Sequence, residues 1–531
     1  MAASSTDALG LAPPHALLSA DVRGFVDDVI ASSSATNEML LPHLRKGLEQ
    51  LEGFLQLAHA DVNSFEALVA RDSPKWSEHL QLAVDDQDVR VQTRQVLPSL
   101  QLPSLTGKDI KVGRPGRPDD AVYQKSEYAR QFFPRGNFIA EFNPRSSREP
   151  ALHFPIVRGY RKFTGQEDDG ELQGAVGDEL LSKFFTKPAA QSRWVVATTK
   201  ENGEAGHLAV LKRSDGNFVF ALGSKNTHLL AASLEDIDAT CDAAKADGNN
   251  PYQAARPMAR AILKAVLSLP DLNRRVLCEL LWQTRATASF EVLCPDHQHV
   301  QLLDYVDEDT PVFYGLSLPQ LEPLEGTEVC VNPVLPYELM RAFGLRTVEY
   351  EVVEFRSSRF EAKLHESKTA YQHEGAVNLF VDADACVIGM EKYKTIWYVC
   401  LRAIREKAKS FCGNLFKKHK PANRRRKGKK NPSRQQEERV MEAGEVLDNS
   451  KEQIARRFKA IQPYLQITSE VTQAYESLGC HFVDFLLDVK LGGAPTPEDA
   501  KHVQREVGDL FPVVWQEFLA HSGLSDRIDD E

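Results

Sequence analysis

The chain is 531 residues long, with 42% hydrophobic residues, 26% charged residues and a formal net charge of −11. These values are typical of a soluble protein of two or three domains, and the negative balance argues against nonspecific nucleic-acid binding by the chain as a whole. No run of eighteen apolar residues occurs, which excludes a membrane-spanning helix, and the first residues lack the pattern of a secretory signal. The eight cysteines form no CxxC pair, so we expect reduced thiols in the cytoplasm or nucleus.

Three regions with different hydrophobic patterns follow one another along the chain. Apolar residues recur at helical spacing from Leu18 to about Leu97, which predicts a helical N-terminal region. Between Phe138 and Tyr398 short β-type runs alternate with turns, and beyond a basic segment the pattern is helical again. We therefore predict an α+β fold with an antiparallel-sheet domain between helical N- and C-terminal regions. The predicted regions are 1–105 (helical), 106–410 (sheet domain), 411–433 (basic linker) and 434–531 (helical).

The stretch WVVATTKENG, residues 194–203, delivers Lys200 at the end of an apolar strand, with Gly203 three residues further on. A K-x-N-G match alone arises by chance in roughly one chain in ten of this length, so an ordinary hairpin turn competes with a functional interpretation. The context favours function, because an apolar strand leads to the lysine and a glycine lets the backbone approach a ligand closely.

Two further elements lie downstream. In HEGAVNLFV the pair Glu374-Gly375 opens a strand, and in MEKYKTIWYV Lys392 and Lys394 alternate with other residues. On a strand this spacing sends both ammonium groups to the same face. Two buried like charges are costly unless an anion lies between them, and a phosphate is the obvious candidate.

The order of a KxxG lysine, an acid-glycine strand and a KxK strand resembles that of covalent nucleotidyltransferases, the superfamily of DNA ligases, RNA ligases and mRNA capping enzymes. From Arg135 to Tyr398 the chain is more narrowly similar to phage-type RNA ligases and to the adenylyltransferase domain of fungal tRNA-splicing ligases. The form KYKTIWY is closer to RNA ligases than to DNA ligases. The resemblance implies an antiparallel-sheet nucleotidyltransferase fold (ATP-grasp-like ligase), ATP as nucleotide and a lysyl–AMP intermediate on Lys200.

The resemblance also implies roles for single residues. Glu201, Asn202 and Gly203 belong to the nucleotide-binding lysine motif, although Asn202 stands where DNA ligases and capping enzymes commonly have aspartate. The implied roles of the flanking motifs are triphosphate binding by Arg135 and Lys162, phosphate or RNA contact by Ser224 and Lys225, ribose binding by Glu291, and packing of Phe313 or Tyr314 on adenine. No GxxxxGK[ST] motif occurs, so the kinase module of the splicing enzymes is absent from the sequence.

The chemistry needs Lys200 as a free amine, whereas the usual pKa of lysine is about 10.4. We expect burial and the nearby charges of Lys392 and Lys394 to favour the neutral form, and expect the same two cations to stabilise the charge on the α-phosphate. Glu374 is the predicted ligand for Mg²⁺, with Mn²⁺ as the alternative ion.

The segment CPDHQH contains three potential zinc ligands, Cys294, His297 and His299. No second pair of ligands is evident in the sequence, so we interpret the segment as a turn between two strands rather than as a metal site.

The segment Lys417–Lys430 has nine Lys or Arg residues in fourteen positions. It is interpreted as an RNA-attracting or nuclear-import segment, with a solvated linker as the alternative. By analogy with phage-type RNA ligases, residues 434–531 would help to select the RNA.

We therefore predict an ATP-dependent RNA ligase that joins 5′-phosphate and 3′-hydroxyl ends of RNA through lysyl–AMP, in the cytoplasm or nucleus and without a membrane. One rival is a DNA ligase or a GTP-dependent capping enzyme. A rival of another class is a catalytically inactive RNA-binding protein with a ligase-like fold. The sequence leaves the natural RNA, the oligomeric state and the protein partners open.

Overall fold

The computed structural model describes residues 9–528 except 61, 103–104, 144–149, 165–181, 247, 249, 322–328, 420–438, 441 and 494. Most of the basic segment, residues 420–430, therefore lies outside the described residues. Within the described part, every helix is too short or too polar to cross a bilayer.

Three helices open the chain: α1 (Ala20–Thr36), α2 (Leu41–His59) and α3 (Phe65–Asp85). Their apolar faces join the large core of the sheet domain rather than a core of their own; Leu51 and Phe65, for example, are fully buried in it. The prediction of helical structure as far as about Leu97 was wrong beyond Asp85, because Val89–Gln95 forms a strand, β1. Val89 and Val91 lie on one face of this strand and pack in the same hydrophobic cluster, whereas Arg94 is buried on the other face.

The first sheet holds strands in the sequential order β1-β2-β3-β4, all antiparallel. Its further strands are β2 (Leu105–Val112), β3 (Asn137–Phe142) and β4 (Leu152–Arg158), and the short helices α4 (Asp119–Lys125) and α5 (Glu127–Phe132) connect β2 to β3. The start of α4 becomes important below, because it carries two aspartates.

Two more antiparallel sheets complete the predicted α+β architecture. The second sheet has the order β10-β9-β6-β7-β8, with β6 (Glu204–Lys212), β7 (Phe218–Ser224), β8 (His228–Ala231), β9 (Thr287–Leu293) and β10 (Thr310–Ser317). The third sheet has the order β11-β5-β12-β13, with β5 (Trp194–Lys200), β11 (Tyr350–Glu354), β12 (Gly375–Val381) and β13 (Val387–Lys394).

Helices cover these sheets. Between β8 and β9 lie α6 (Leu234–Ala246), α7 (Ala255–Leu267) and α8 (Asp271–Thr284), and α7 packs on β6 and β7. Next come α9 (Val334–Phe343) and α10 (Ser358–Thr369); Phe360 of α10 shares a small core with Phe380 of the third sheet. One face of the third sheet is therefore covered, which leaves the other face for the cleft described below.

The C-terminal helices surround a separate hydrophobic core. They are α11 (Ile396–Asn414), α12 (Ala443–Leu465), α13 (Ser469–Phe485), α14 (Pro497–Asp509) and α15 (Phe511–Ser522). Minor elements are 3₁₀ turns at Glu38–Leu40, Pro98–Leu100 and Ala189–Gln191, a π-turn at Leu486–Lys490, and the paired two-residue strands β14 (Lys418–His419) and β15 (Arg439–Val440). The start of α14 is fixed by a capping box between Thr496 and Asp499.

Candidate active site

A cleft of about 550 Å³ lies between the second and third sheets. The connection between β5 and β6, residues 201–203, crosses from one sheet to the other at its edge. Nine of the predicted site residues line this cleft: Arg135, Lys162, Lys200, Glu201, Lys225, Glu291, Glu374, Lys392 and Lys394. Side chains from sequence positions more than 250 residues apart thus share one cavity.

Strand register explains how the lysines come together. Lys200 on β5 and Lys394 on β13 both pair with Gly375 on β12, so the three residues form one row across the sheet. Two residues further along each strand, Lys392 pairs with Val377 in the next row. Residues in register and residues two apart share a face, so all three ammonium groups are on the cleft side.

The central position of that row requires a glycine. Gly375 has φ of +142°, a region that side chains strongly disfavour, and a Cβ atom there would lie 2.0 Å from the Tyr393 carbonyl oxygen. The close approach of β12 and β13 at this point therefore depends on the absence of a side chain between Lys200 and Lys394.

Lys200 forms an ion pair inside the cleft. Its Nζ lies 2.7 Å from Glu374 Oε1, and the Glu374 side chain is only 6% exposed. Burial lowers the pKa of Lys200, but the carboxylates of Glu374 and Glu291 outweigh burial and raise the pKa above its usual value. The prediction of a neutral amine was therefore wrong for this arrangement, because the sequence did not reveal that a carboxylate contacts Nζ directly.

The two carboxyl groups beside Lys200 differ in their own pKa values. For Glu374, burial acts to raise the pKa, yet Lys200 and Lys394 outweigh it and the pKa is lowered. For Glu291, burial dominates and raises the pKa to about 7, although Lys200 opposes the shift. Oxygen donors of this kind suit Mg²⁺ or Mn²⁺, so the donor set fits a divalent cation next to Lys200.

Asn202 does not line the cleft, but its side chain hydrogen-bonds to residues that do and to the backbone beside them. The side chain is 2% exposed, and its Nδ2 donates to Glu374 Oε2 at 2.8 Å and to the Tyr398 hydroxyl at 3.2 Å. Its Oδ1 accepts the backbone N–H groups of Val300 and Gln301. The amide thus orients the carboxylate that pairs with Lys200, which a short motif match could not indicate.

Gly203 brings the lysine loop against β9. A Cβ at this position would lie 2.3 Å from the Val292 carbonyl oxygen, and the Gly203 N–H donates to Glu291 Oε1 at 3.2 Å. The glycine therefore allows the backbone after Lys200 to position Glu291.

A second group of charges lies at the start of α4. Asp119 accepts from Arg135 at 2.9 Å and from Lys225 at 2.7 Å. Asp120 accepts from Arg135 at 2.9 Å and also pairs with Lys162. Sequence reasoning found the three cations but missed the aspartates; the only signal was an Asp-Asp pair after Pro118 at a helix start.

These partners shift one another's pKa values. Burial, Arg135 and Lys392 hold the pKa of Lys162 well below its usual value despite its pairing with Asp120. Burial alone would raise the pKa of Asp120, but Lys162 and Arg135 outweigh it and the pKa falls. The group is therefore a nearly balanced set of charges that an incoming anion would rearrange.

The structure corrects the aromatic assignment. Phe313 is fully buried, with its ring 5.6 Å from that of Phe290, and does not line the cleft. Its strand partner Phe290 is adjacent to Glu291, so the two point to opposite faces of β9. A β-bulge between Phe313 and Gly315 leaves Tyr314 out of the register, and Tyr314 lines the cleft instead.

Ser224 also lies outside the cleft lining, whereas its neighbour Lys225 is part of it. The Ser224 backbone instead accepts a hydrogen bond from His207 Nδ1 at 3.3 Å. Sequence reasoning missed four residues of α11 that line the cleft, Tyr398, Arg402, Arg405 and Glu406; the first three of them recur at helical spacing. That i, i+4, i+7 pattern was the signal that could have revealed them.

Residues 116–405 match the family described as a domain of unknown function (DUF7920). None of the curated proteins matches the sequence.

Among solved structures, three chains of Naegleria gruberi RNA ligase variants are similar to this chain. One, with ATP and Mn, has 12% identity and a TM-score of 0.26 and covers 39% of this chain and 51% of its own. A second, with ATP and Mn, has 11% identity and a TM-score of 0.28, with coverages of 61% and 82%. The third, an apo form, has 9% identity and a TM-score of 0.28, with coverages of 59% and 97%. This chain thus spans about half the length of the first of them.

Proposed function

The chain belongs to the DUF7920 family, and we propose that it is an ATP-dependent RNA ligase that forms lysyl–AMP at Lys200. The observation that carries the proposal is the Lys200–Gly375–Lys394 row beside Lys392, on the cleft face of one sheet. Three lysines on one concave face fit an anion with several phosphate oxygens.

The first step is attack by Lys200 on ATP. The Nζ lone pair forms a bond to the α-phosphorus, the bond to the bridging oxygen breaks, pyrophosphate leaves with that electron pair, and Nζ releases its proton to solvent. Lys392 and Lys394 would stabilise the charge that develops on the α-phosphate oxygens. Preorganised cations in a partly closed cleft act more strongly than they would in water.

Lys200 must lose its proton before it attacks, and its pairing with Glu374 opposes this loss. A divalent cation held by Glu374 and Glu291 would neutralise their charge, favour the free amine and polarise the phosphate. Asn202 keeps Glu374 oriented through a hydrogen bond of 2.8 Å, so the carboxylate can hold one position when its partner changes.

The remainder of the nucleotide would lie along the other cleft residues. Arg135, Lys162 and Lys225 are the cations for the β- and γ-phosphates, in competition with Asp119 and Asp120. Away from the lysine row the same sheet face becomes apolar, where Leu379 pairs with Met390, and Tyr314 also lines the cavity. This apolar end suits the adenine ring, and of the two aromatic candidates Tyr314 is the one that would pack against it.

Two further transfers would complete the reaction. AMP moves from Lys200 to an oxygen of an RNA 5′-phosphate as the phosphorus–nitrogen bond breaks; the RNA 3′-hydroxyl oxygen then attacks that 5′-phosphorus and AMP leaves. Each step requires positioning and charge neutralisation rather than new functional groups, so one site can serve all three. Arg402, which pairs with Glu406, and Arg405, which donates to the Gly508 carbonyl oxygen, lie on the cleft side of α11 and would exchange these partners for phosphates of the RNA backbone.

The choice of RNA rests on the resemblance of the KYKTIWY segment to RNA ligases, and the cleft geometry fits a DNA ligase or a GTP-using capping enzyme equally well. The inactive RNA-binding alternative is disfavoured by the pairing of Lys200 with a buried glutamate, which is costly to maintain without a use.

Label transfer tests the proposal. We incubate the full chain with ATP or GTP labelled at the α-phosphate, and then add RNA or nicked DNA ends. The expected result is covalent label from ATP on the native protein, its transfer to RNA 5′-phosphate ends, and a sealed product. Lys187→Ala is a matched control, because Lys187 forms a 2.6 Å ion pair with Asp382 outside the cleft lining.

We expect Lys187→Ala to retain the label and Lys200→Ala to lose it. Equal labelling of Lys200→Ala would refute the mechanism. Label from GTP alone would identify a capping enzyme, and sealing of nicked DNA alone a DNA ligase. If the native protein takes up label from neither ATP nor GTP, the hypothesis of an inactive RNA-binding protein is favoured.

A further inference from the structure

Two histidines and a glutamate converge at the edge of the cleft. The Nε2 atom of His299 lies 3.1 Å from Glu204 Oε1, and the Nε2 atom of His297 lies 3.6 Å from the same oxygen. One ligand atom from each of the three residues lies within 4.8 Å of the other two. His299 also lines the cleft, whereas none of these residues has a part in the reaction described above.

The spacing of these atoms suits a tetrahedral metal ion. Zinc bonds to histidine nitrogen and carboxylate oxygen are about 2.0–2.1 Å long, which places neighbouring ligand atoms about 3.3 Å apart. The two separations from Glu204 Oε1, 3.1 Å and 3.6 Å, lie on either side of that value. Three protein ligands leave a fourth position for water, and imidazole with carboxylate is a donor set that zinc accepts readily.

We propose that Glu204, His297 and His299 form a zinc-binding site. Cys294, which the sequence placed among the potential ligands, is not part of the cluster; its Sγ is buried and lies 3.7 Å from the Val292 carbonyl oxygen. Sequence analysis missed the third ligand because Glu204 lies at the start of β6, more than ninety positions before the histidines.

Backbone contacts hold the histidine segment in place independently of the side chains. The Gln298 N–H donates to the Asp509 carbonyl oxygen at 2.6 Å, and the N–H groups of Val300 and Gln301 donate to Asn202 Oδ1. The segment is thus fixed at both ends, to α14 on one side and to the lysine loop on the other. A preformed ligand set loses less conformational freedom when it binds a metal.

A carboxylate also lies behind one of the ligands. His297 Nδ1 is 3.6 Å from Asp509 Oδ1, the last residue of α14, while its Nε2 faces Glu204. Metal-binding histidines commonly direct their other ring nitrogen to a carboxylate, which orients the ring and increases its basicity. A zinc ion here would link the C-terminal helices to the strand that follows the Lys200 loop.

Metal content tests the proposal on the full chain. We treat the protein with a chelator, dialyse it against buffer with zinc chloride, remove free ion and measure bound zinc by elemental analysis. The expected value is one zinc per chain in the native protein and background in Glu204→Gln and in His299→Ala. The matched control is His502→Ala, because His502 pairs with Glu506 at 3.5 Å on the exposed face of α14, away from the proposed ligands.

Two further measurements keep the result interpretable. Circular dichroism shows whether each variant is folded, and the absorption spectrum of the cobalt(II)-loaded protein reports four-coordinate geometry with nitrogen and oxygen ligands. We expect Asp509→Asn to bind zinc about tenfold more weakly. Lys200→Ala should bind zinc as the native protein does, so the zinc site and the ligase proposal can fail separately.

Folded native protein without stoichiometric zinc would overturn the proposal. Equal zinc binding by native protein and Glu204→Gln would overturn it as well. Loss of zinc binding in the control variant His502→Ala would have the same consequence.

Discussion

The cleft contains two clusters of cations that are built in different ways. In the lysine cluster (Lys200, Lys392 and Lys394 with Glu374), strand register fixes the cations and one buried carboxylate contacts one of them. In the arginine cluster (Arg135, Lys162 and Lys225 with Asp119 and Asp120), side chains from three separate connecting segments converge on a helix start.

The difference bears on the work that each cluster would do. Positions set by a sheet vary little, which suits a site where a bond forms and charge develops at a fixed point. Cations that are already paired with two aspartates can exchange those partners for phosphates, which suits binding and release. We therefore expect substitutions in the lysine cluster to alter the rate of adenylylation and those in the arginine cluster to alter nucleotide affinity.

Removing a cation from the lysine row should have the largest effect. Lys394→Ala takes away a preorganised charge next to the reacting phosphate and should lower the single-turnover rate of adenylylation about 10²–10³-fold with little change in KM for ATP. Rapid-quench kinetics at saturating ATP measures this rate. Arg135→Ala is the contrasting variant, since it should mainly raise KM. A reversal of these two patterns would break the proposed division of roles.

The second-largest expected effect is a pH dependence of the unfolding free energy that originates from Glu291. Its pKa in the folded protein is raised to about 7, above the usual value for glutamate, so folding favours the protonated form. This contribution is fully present below the unfolded-state pKa and is lost as pH rises through about 7. The Glu291→Gln side chain is uncharged at both pH values, and relative to this variant the native protein should lose roughly 2–3 kcal/mol of unfolding free energy between pH 5 and pH 8. Urea denaturation at the two pH values measures this difference, and an identical pH response in both proteins would contradict it.

The smallest effect is expected from a change of one aspartate. Asp120→Asn removes a carboxylate that competes with phosphate for Arg135 and Lys162, so KM for ATP should fall about threefold to tenfold with the adenylylation rate nearly unchanged. Equilibrium titration with a fluorescent ATP analogue provides the check. Weaker binding in this variant would mean that Asp120 orders the cations more than it competes for them.

Local patterns in the sequence predicted features that depend only on neighbouring residues, such as the face of a strand on which a side chain lies. Alternation placed Lys392 and Lys394 on one face of a strand, and both line the cleft. The sequence left the choice between Phe313 and Tyr314 open, because no alternation pattern reveals the bulge at this point; Tyr314 lines the cavity and Phe313 does not.

Long-range pairing was out of reach of the sequence. The pKa of Lys200 is raised by Glu374, 174 positions away, whose Oε1 lies 2.7 Å from Nζ, together with Glu291. The aspartates of α4 were missed for the same reason, since their partners come from three other segments of the chain. A third example is Glu204, which joins two histidines only in the folded protein.

The most direct test of the central claim is to locate the adenylyl group. We incubate the full chain with ATP and Mg²⁺, digest it under conditions that preserve phosphoramidates, and identify the modified peptide by tandem mass spectrometry. We expect one AMP per chain on the peptide that contains Lys200, attached to its side-chain nitrogen. AMP on Lys392 or Lys394 instead, or an unmodified Lys200 peptide in protein that nevertheless seals RNA, would contradict it.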